Sequence, residues 1–373
     1  MSLATGLFPT GRQSGLLFDW RAEDRSLAAR RGLAVTLTRA STGLLVDANG
    51  IVASVPNNQP RFGYLNGYFG LLLEPARSNA LTAPSDFSNA AWSKTASLAV
   101  TTGASDPMGG TTACTLTSSA ITQYAIQNAG ASSSALRTNS IWLRRRTGSG
   151  TILLWAPDNA TPLIVPLTSS WQVFSVANAA ASVARLFEID IAASGDAIDV
   201  WCADLEDGGS ASSSIIAGSR SQDICSFPFA FANLVQDFTV LVTAMIPVSP
   251  GGVQNLVGIG TTGNGAELCI GQGLTMNAEI RGTPNAPTGS LGITAGAPIS
   301  ACAQFSGWSS GPTARLDVGG GFGAVGAVSS ARTALGAATI NLNNGSNGAG
   351  IFLLQAVKVA AGSKTRTQML EAA

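Results

Sequence analysis

The sequence predicts an all-β protein, built of β-sandwich and jelly-roll domains with few short helices. Three observations predict it. Apolar runs of four to eight residues recur between clusters of Gly, Ser, Thr, Asn and Pro, the pattern of strands separated by turns. The 3.6-residue periodicity of amphipathic helices is nearly absent. Glycine is abundant, 43 of 373 residues, and its clusters fall between apolar runs, where tight turns require it.

A chain of 373 residues exceeds the roughly 250–300 at which single cores stop growing, so more than one domain is expected. Three segments emerge. Residues 1–90 form an N-terminal attachment arm, in which 24–32 (DRSLAARRG) offers one short helix. Residues 91–222 alternate as strands: ITQYAIQNA, NSIWLRRR, TILLWAP, SWQVFSVA, RLFEIDIA and AIDVWCADL. That is the rhythm of an antiparallel jelly roll. Residues 223–373 form a second β block, richer in Gly and Ala, with runs such as FTVLVTAMI, QNLVGIG, TMNAEI, ISACAQFS and GIFLLQAVKV. The terminal stretch 363–373 (SKTRTQMLEAA) reads as a helix with Ser363 as its N-cap. No exact repeat is present with a period of roughly 20–50 residues, which argues against a solenoid or propeller.

Composition excludes several classes of function. Lys+Arg and Asp+Glu are both 21, so net charge is zero and nothing overall recruits nucleic acid or an anionic membrane. Charged residues make up only 11% of the chain against 45% hydrophobic, too apolar for disorder. With so few surface charges, the chain is expected to cover much of its outside against other subunits. The N-terminus lacks the basic and apolar regions of a secretory signal. The apolar run at 238–248 is about half the ~20 residues of a membrane span and reads as a buried strand. Five cysteines without CxxC spacing read as small buried hydrophobes.

No histidine occurs anywhere in the chain, so the usual general base for chemistry near neutral pH is missing, and a non-enzyme is expected. The G-x-S-x-G match at Gly307–Gly311 lacks a histidine to take the serine proton and reads as a turn. Two G-x-G-x-x-G matches, Gly258–Gly263 and Gly321–Gly326, lack the helix a dinucleotide site needs and read as hairpin glycines.

Glu188 and Asp190 share one face of a strand, and Asp204, Glu206 and Asp207 crowd the next. Glycosidase carboxylates are defined by distance, not spacing, so these pairs are weighed and read as a strand edge, with a structural calcium site as the alternative. No other cofactor is implied. For sugar contact the exposed candidates are Trp155, at a strand end, and Trp308, in a turn, since flat rings bury the CH faces of sugars. Trp142 shares an alternating face with Arg144 and Arg146, which suggests a part-exposed face. Arg39, Arg61 and Arg77 are forks suited to Asp47 and Glu74. In so charge-poor a chain they suggest an ion-pair lattice pinning the arm onto the sandwich.

Between Arg39 and Trp92 the chain carries Arg39-Ala-Ser-Thr42, Asp47 with Gly50, Pro60-Arg-Phe62, Gly70–Glu74, Ala76–Asn79, and Asp86-Phe87 with Trp92. Taken in order, these resemble the first segment of a family of tailed-phage fibre and spike proteins. Trp171 (WQVF) and Trp201–Gly208 (WCADLEDG) resemble strands of that family's carbohydrate-binding-like jelly roll, which implies packing roles for both tryptophans. The last block resembles a concanavalin or LamG-like sandwich. The resemblance implies a non-enzymatic virion protein, a head fibre, spike or decoration protein assembled in the host cytoplasm. It would be a homotrimer mounted on capsid or tail proteins, with host glycan as its outward partner. A tail-fibre or receptor-binding subunit is the second reading, and a capsular polysaccharide depolymerase the third. The chain departs from the family after LEDG: Ser212–Ile216 and Ala217-Gly218 stand where the family has a Tyr- and Pro-bearing strand exit.

Overall fold

A computed structural model describes residues 16–32, 34–47, 49–230, 237–247, 253–261, 264–271, 274–281, 286–288, 290–307, 311–319, 326–327, 337–342 and 350–372. The protein is nearly all β, in several antiparallel sheets, as the sequence predicts.

Ten strands between Ser93 and Asp207 form a jelly roll. Its inner sheet runs Gln172–Ala177, Arg137–Thr147, Ala197–Asp207, Ala113–Ser118 and Leu98–Ala104. Its outer sheet runs Pro162–Ile164, Ile152–Trp155, Leu186–Ile191, Gln123–Asn128 and Ser93–Lys94. Most connections cross from one sheet to the other. The last two long strands slot between earlier ones, which gives the nested Greek keys of this fold. Alternation produces the packing: Gln123–Asn128 buries every second residue. Ala125, Ile141, Leu154, Phe187, Ile189 and Val200 meet between the sheets. Ala197–Asp207 is buried along its first ten residues. It is central in its sheet, and on its other face Trp201 packs with Leu44 and Val52 of the first segment.

Among the described residues, the neighbouring sandwich has two eight-stranded sheets. One runs Gly326–Ala327, Thr313–Asp317, Pro298–Ser306, Phe238–Met245, Phe352–Ala361, Tyr68–Leu73 and Phe62–Leu65, with Leu16–Arg21 also paired to Phe352–Ala361. The other runs Thr36–Thr38, Ile224–Ala230, Ala337–Leu342, Gln254–Thr261, Asn264–Gly271, Thr275–Arg281 and Ala286–Pro287, with Leu291–Gly292 on Thr275–Arg281. Trp20, Leu71, Val242, Phe305 and Val359 pack across from Ile259, Leu268, Met276 and Ile280.

Strands from the first ninety residues thus complete both sheets of the later block, and the jelly roll is inserted between them. The segment expected as an attachment arm, 1–90, therefore supplies strands to both sheets. A lone strand leaves its backbone groups unpaired, and Leu16–Arg21 finds its partners at Ala356–Ala360. Gly70 shows how close the approach is, since a Cβ there would meet Leu354 O at 2.7 Å. Gly258 and Gly260 lie in strand Gln254–Thr261 and pair with Glu267 and Gly265, as hairpin residues.

Two expected helices differ. Residues 24–32 do not form one; a 3-10 turn spans Ala22–Asp24, and Arg30 binds Glu23 and Asp24 instead. The terminal helix is Arg366–Glu371, and its N-cap is Thr365, not Ser363. Thr365 and Gln368 form a reciprocal capping box, a better end for the helix than an isolated serine. The helix lies on the outer face of its sheet with Met369 buried. Lys358 Nζ donates to the carbonyls of Met369, Leu370 and Ala372 at its C-terminal end.

Candidate functional site

The arginines singled out in the sequence lead to a buried junction. Arg39 Nη1 donates to Asp223 Oδ1 at 2.9 Å. Arg61 bridges two acids, through Nη1 to Glu74 and through Nη2 to Asp223. Arg220 reaches Glu74 Oε2 at 3.0 Å. Ser213 N and Oγ both donate to Glu74. These charged side chains are buried. Burial raises the Glu74 carboxyl, but Arg220, Arg61 and the Ser213 bonds outweigh it and hold it at about 2. Beside this network, Arg77 Nε lies 3.4 Å from Glu206.

Arg39, Arg61 and Glu74 therefore come together, with Arg77 adjoining. Asp47 does not join them. It closes the hairpin of Gly43–Val46 and Val52–Val55, accepting from Asn49 N at 2.8 Å and Ile51 N at 2.9 Å. A short Asp side chain just ahead of a turn bonds its own backbone before it can reach a distant cation. Sequence reasoning missed Asp223 and Arg220. The available signal was two isolated charges in a serine-rich stretch of a chain with few charges. The rebuilt exit at Ser212–Ser214 serves this junction: Ser212 binds Glu206, Ser213 binds Glu74, and Ser214 Oγ receives Trp142 Nε1 at 3.0 Å.

Trp142 is accordingly not on a part-exposed face. It is buried against Trp201, with ring centroids 6.5 Å apart, and lines an apolar cleft of about 350 Å³ between the two sandwiches. Leu44, Val52, Tyr64 and Val173 form other walls of that cleft. Arg144 and Arg146 both bind Asp199, and Arg144 stacks 4.8 Å over the ring of Trp171. Trp201 is core, and its Nε1 donates to Thr112 Oγ1 at 2.8 Å. Trp171 is only partly buried.

The second cluster lies on the solvent side of the outer sheet. The turn after Trp155 places Asn159 in the left-handed region (φ 55°), a conformation Asn tolerates. From opposite sides, Asn139 Nδ2 ties the carbonyls of Trp155 (2.9 Å) and Leu186 (2.8 Å), aligning these two strand ends. Register places Leu153 and Tyr124 on either side of Asp190, and Ile126 beside Glu188. Trp155 Nε1 donates to Asp190 Oδ2 at 2.8 Å, a diagonal cross-strand contact. Tyr124 is 37% exposed and Ile164, at the sheet edge, 68%.

Burial raises the Glu188 carboxyl to about 7, aided by the charge of Asp190 and a hydrogen bond between the two carboxyls; a bond from Asn159 opposes this. Burial also raises Asp190, against the bonds from Trp155 and Glu188. The pair holds one proton between two carboxyls, as like charges in contact must. Hydrogen-bonded carboxyls are closer than the ~5–9.5 Å of glycosidase pairs, so in this arrangement they are not an acid/nucleophile couple. An acid pair beside a tryptophan and a tyrosine can bind hydroxyl- or amine-bearing rings.

The other candidates fall elsewhere. Trp308 and Ser309, in the G-x-S-x-G match, lie outside the described residues. Asp204 accepts from Ile215 N, and burial and the neighbouring Glu206 push its carboxyl well up. Asp207 pairs with Arg137 at 2.8 Å. Glu267, Cys269 and Glu279 place possible ligand atoms within 4.8 Å of one another, all buried. A thiol beside two carboxylates is a poor set for calcium, which takes oxygen ligands.

No protein-family model matches the chain, and no curated protein matches it. Among solved structures it is similar to a Trypanosoma rangeli sialidase in complex with the inhibitor DANA, at 14% identity and TM-score 0.30, covering 44% of this chain and 28% of that one. It is also similar to domains LG4-5 of the mouse laminin alpha1 chain, at 10% identity and TM-score 0.25, covering 74% and 93%. A truncated AlyQ with CBM32 and alginate lyase domains matches at 9% identity and TM-score 0.22, covering 73% and 99%. The chain thus spans under a third of the sialidase's length. The neighbours are carbohydrate-binding, laminin LG and sialidase-like β-sandwich proteins, and likenesses of this size carry no argument for one activity. The expectation of a non-enzyme, drawn from the missing histidine, is corrected by the sialidase matches, since glycan-processing enzymes are among the proteins this chain is similar to. Absence of one residue type is a weak exclusion, because carboxyls and tyrosines also move protons.

Proposed function

We propose that this is a glycan-binding β-sandwich protein of a tailed-phage particle. It acts as a head fibre, spike or decoration protein whose jelly roll meets sugar on the host surface. The observation that carries the glycan reading is the bond from Trp155 Nε1 to Asp190 on a solvent-facing sheet, with Tyr124 and Glu188 on the same face. The ring offers a flat apolar surface, and the carboxyls accept from sugar hydroxyls. The particle reading is supported by the Arg39–Trp92 motifs. Their arginines lie in the junction between sandwiches, where they stabilise the body that presents the jelly roll. In the particle the chain forms a homotrimer seated on capsid or tail proteins, consistent with so few surface charges.

The test is a glycan array with the full chain and with Trp155→Ala, read alongside a reducing-end assay on every bound sugar. Array signals that disappear in the variant while the fold is kept support the reading. Signals that the variant leaves unchanged overturn the assignment of this face. Release of reducing ends would add catalysis to binding.

A further inference from the structure

Four acids of the jelly roll are answered by arginines, and the pair on the face just described is not. Asp196, Asp199 and Asp207 are each bound by an arginine of strand Arg137–Thr147, and Glu206 lies against Arg77. Glu188 and Asp190 have no ion-pair partner among the described residues, and no cation contributes to the shift of either carboxyl. Asp190 is only 7% exposed, yet its Oδ1 receives no bond from any N–H or hydroxyl of the described residues. The other titratable groups nearby do not compensate. Lys94 Nζ is held by the carbonyls of Phe87, Asn89 and Trp92. Asp158 accepts from Ala160 N in the turn, and Arg185 precedes strand Leu186–Ile191 and contributes to the shift of neither acid. Tyr124, beside Asp190, offers a phenol hydroxyl and not a cation.

We infer that this face selects a sugar with a free amino group, its ammonium seated between Glu188 and Asp190 and its ring against Trp155. The inference rests on the reading of this face as a glycan site and names the ligand class. A sialic or uronic acid would bring a further negative charge to a site with no cation, and is rejected. A neutral ring satisfies hydrogen bonds but leaves the carboxyls sharing a proton. An ammonium instead donates charge-assisted bonds to both. The shared proton then leaves to solvent, and no bond of the sugar is made or broken. Because the pair holds that proton up to about pH 7, binding below neutrality, where the amine is already an ammonium, releases close to one proton per sugar; at about pH 8.5 the carboxyls have lost it and the largely neutral amine must gain one, so binding takes a proton up.

The experiment is calorimetry of the full chain with glucosamine oligomers and their N-acetylated counterparts, at pH 6 and pH 8.5, in buffers of differing ionisation enthalpy. The glucosamine oligomer should bind at least about tenfold more tightly. Proton release should approach one at the lower pH and turn to net uptake at the higher. Glu188→Gln should remove both the preference and the release while the circular dichroism stays unchanged. Equal or tighter binding of the N-acetylated oligomer, or no binding of glucosamine oligomers, overturns the inference. In either case the glycan reading survives if another sugar binds and Trp155→Ala abolishes it, and that reading falls if binding ignores Trp155.

Discussion

Arg61 and Asp223, 162 positions apart in the chain, meet as a fully buried ion pair at the point where the sandwich hands over to the jelly roll and takes the chain back. Arg61 also holds Glu74, so one guanidinium fork bridges two acids that arrive from opposite ends of the inserted domain. Removing the fork leaves both acids short of a cation in a dry setting. Arg61→Met should cost about 3 kcal/mol, toward the lower end for a broken buried pair, because Arg39 and Arg220 still reach the acids. Arg61→Lys should recover only part of this, since an ammonium cannot bridge both. Denaturant midpoints of the three proteins measure it, and equal midpoints would remove the junction from the stability of the fold.

Glu74 makes the junction sensitive to acid. Its carboxyl titrates at about 2 in the folded protein, below the ordinary carboxylate value of about 4.3. Its contribution to stability is therefore complete above the ordinary value and is lost as pH falls toward 2. The unfolding midpoint should drop between about pH 4.5 and 2 in the wild type. In Glu74→Gln it should start lower and drop less steeply across that window. Parallel curves for the two proteins would show that other carboxyls dominate.

Glu188 has the opposite sign. Its carboxyl is raised to about 7, so the folded chain binds its proton where the unfolded chain has lost it. Stability then falls as pH rises from the ordinary carboxylate range through about 7, and is level above. Glu188→Gln should gain about 1 kcal/mol over wild type at pH 8, a figure discounted for solvent screening, and nothing at pH 4. Thermal unfolding at the two pH values checks it, and a variant less stable at pH 8 would mean the carboxylate is matched by a cation.

How far these relationships could be read from the chain depends on their range. The strand Gln123–Asn128 was legible because alternation is a local property, and its burial follows that alternation residue by residue. Trp155 was legible as an aromatic at a strand end. Tyr124 was not, because it matters only through a register that sets it beside Asp190, 66 positions on. Asp223 shows locally only as an isolated charge in a serine-rich stretch, and nothing there names its partners, which lie 184 and 162 positions upstream. Asp47 misled for a related reason: the nearest donors to a turn aspartate are its own backbone amides, and those compete before any distant arginine. The pairing of Leu16–Arg21 with the end of the chain is likewise set by long-range closure, which periodicity does not encode.

That closure predicts which pieces of the chain fold alone. A fragment of residues 80–216 retains all ten jelly-roll strands and the cluster formed by Phe87, Trp92, Ile141, Leu154 and Phe187. It should fold as an isolated domain, and its Trp155 face should keep any sugar affinity of the full chain. A fragment of residues 223–373 lacks Leu16–Arg21, Tyr68–Leu73 and Thr36–Thr38, and so exposes an edge of each sheet together with the core positions that Phe18, Trp20, Leu37 and Leu71 fill. Open apolar edges associate, so this fragment should aggregate or remain without fixed tertiary packing. Supplying residues 1–80 as a separate chain should rescue it, because the missing strands would pair in the same registers. Amide dispersion in heteronuclear NMR spectra distinguishes the outcomes. A well-dispersed spectrum for 223–373 alone would mean that the first strands decorate the sandwich without completing it.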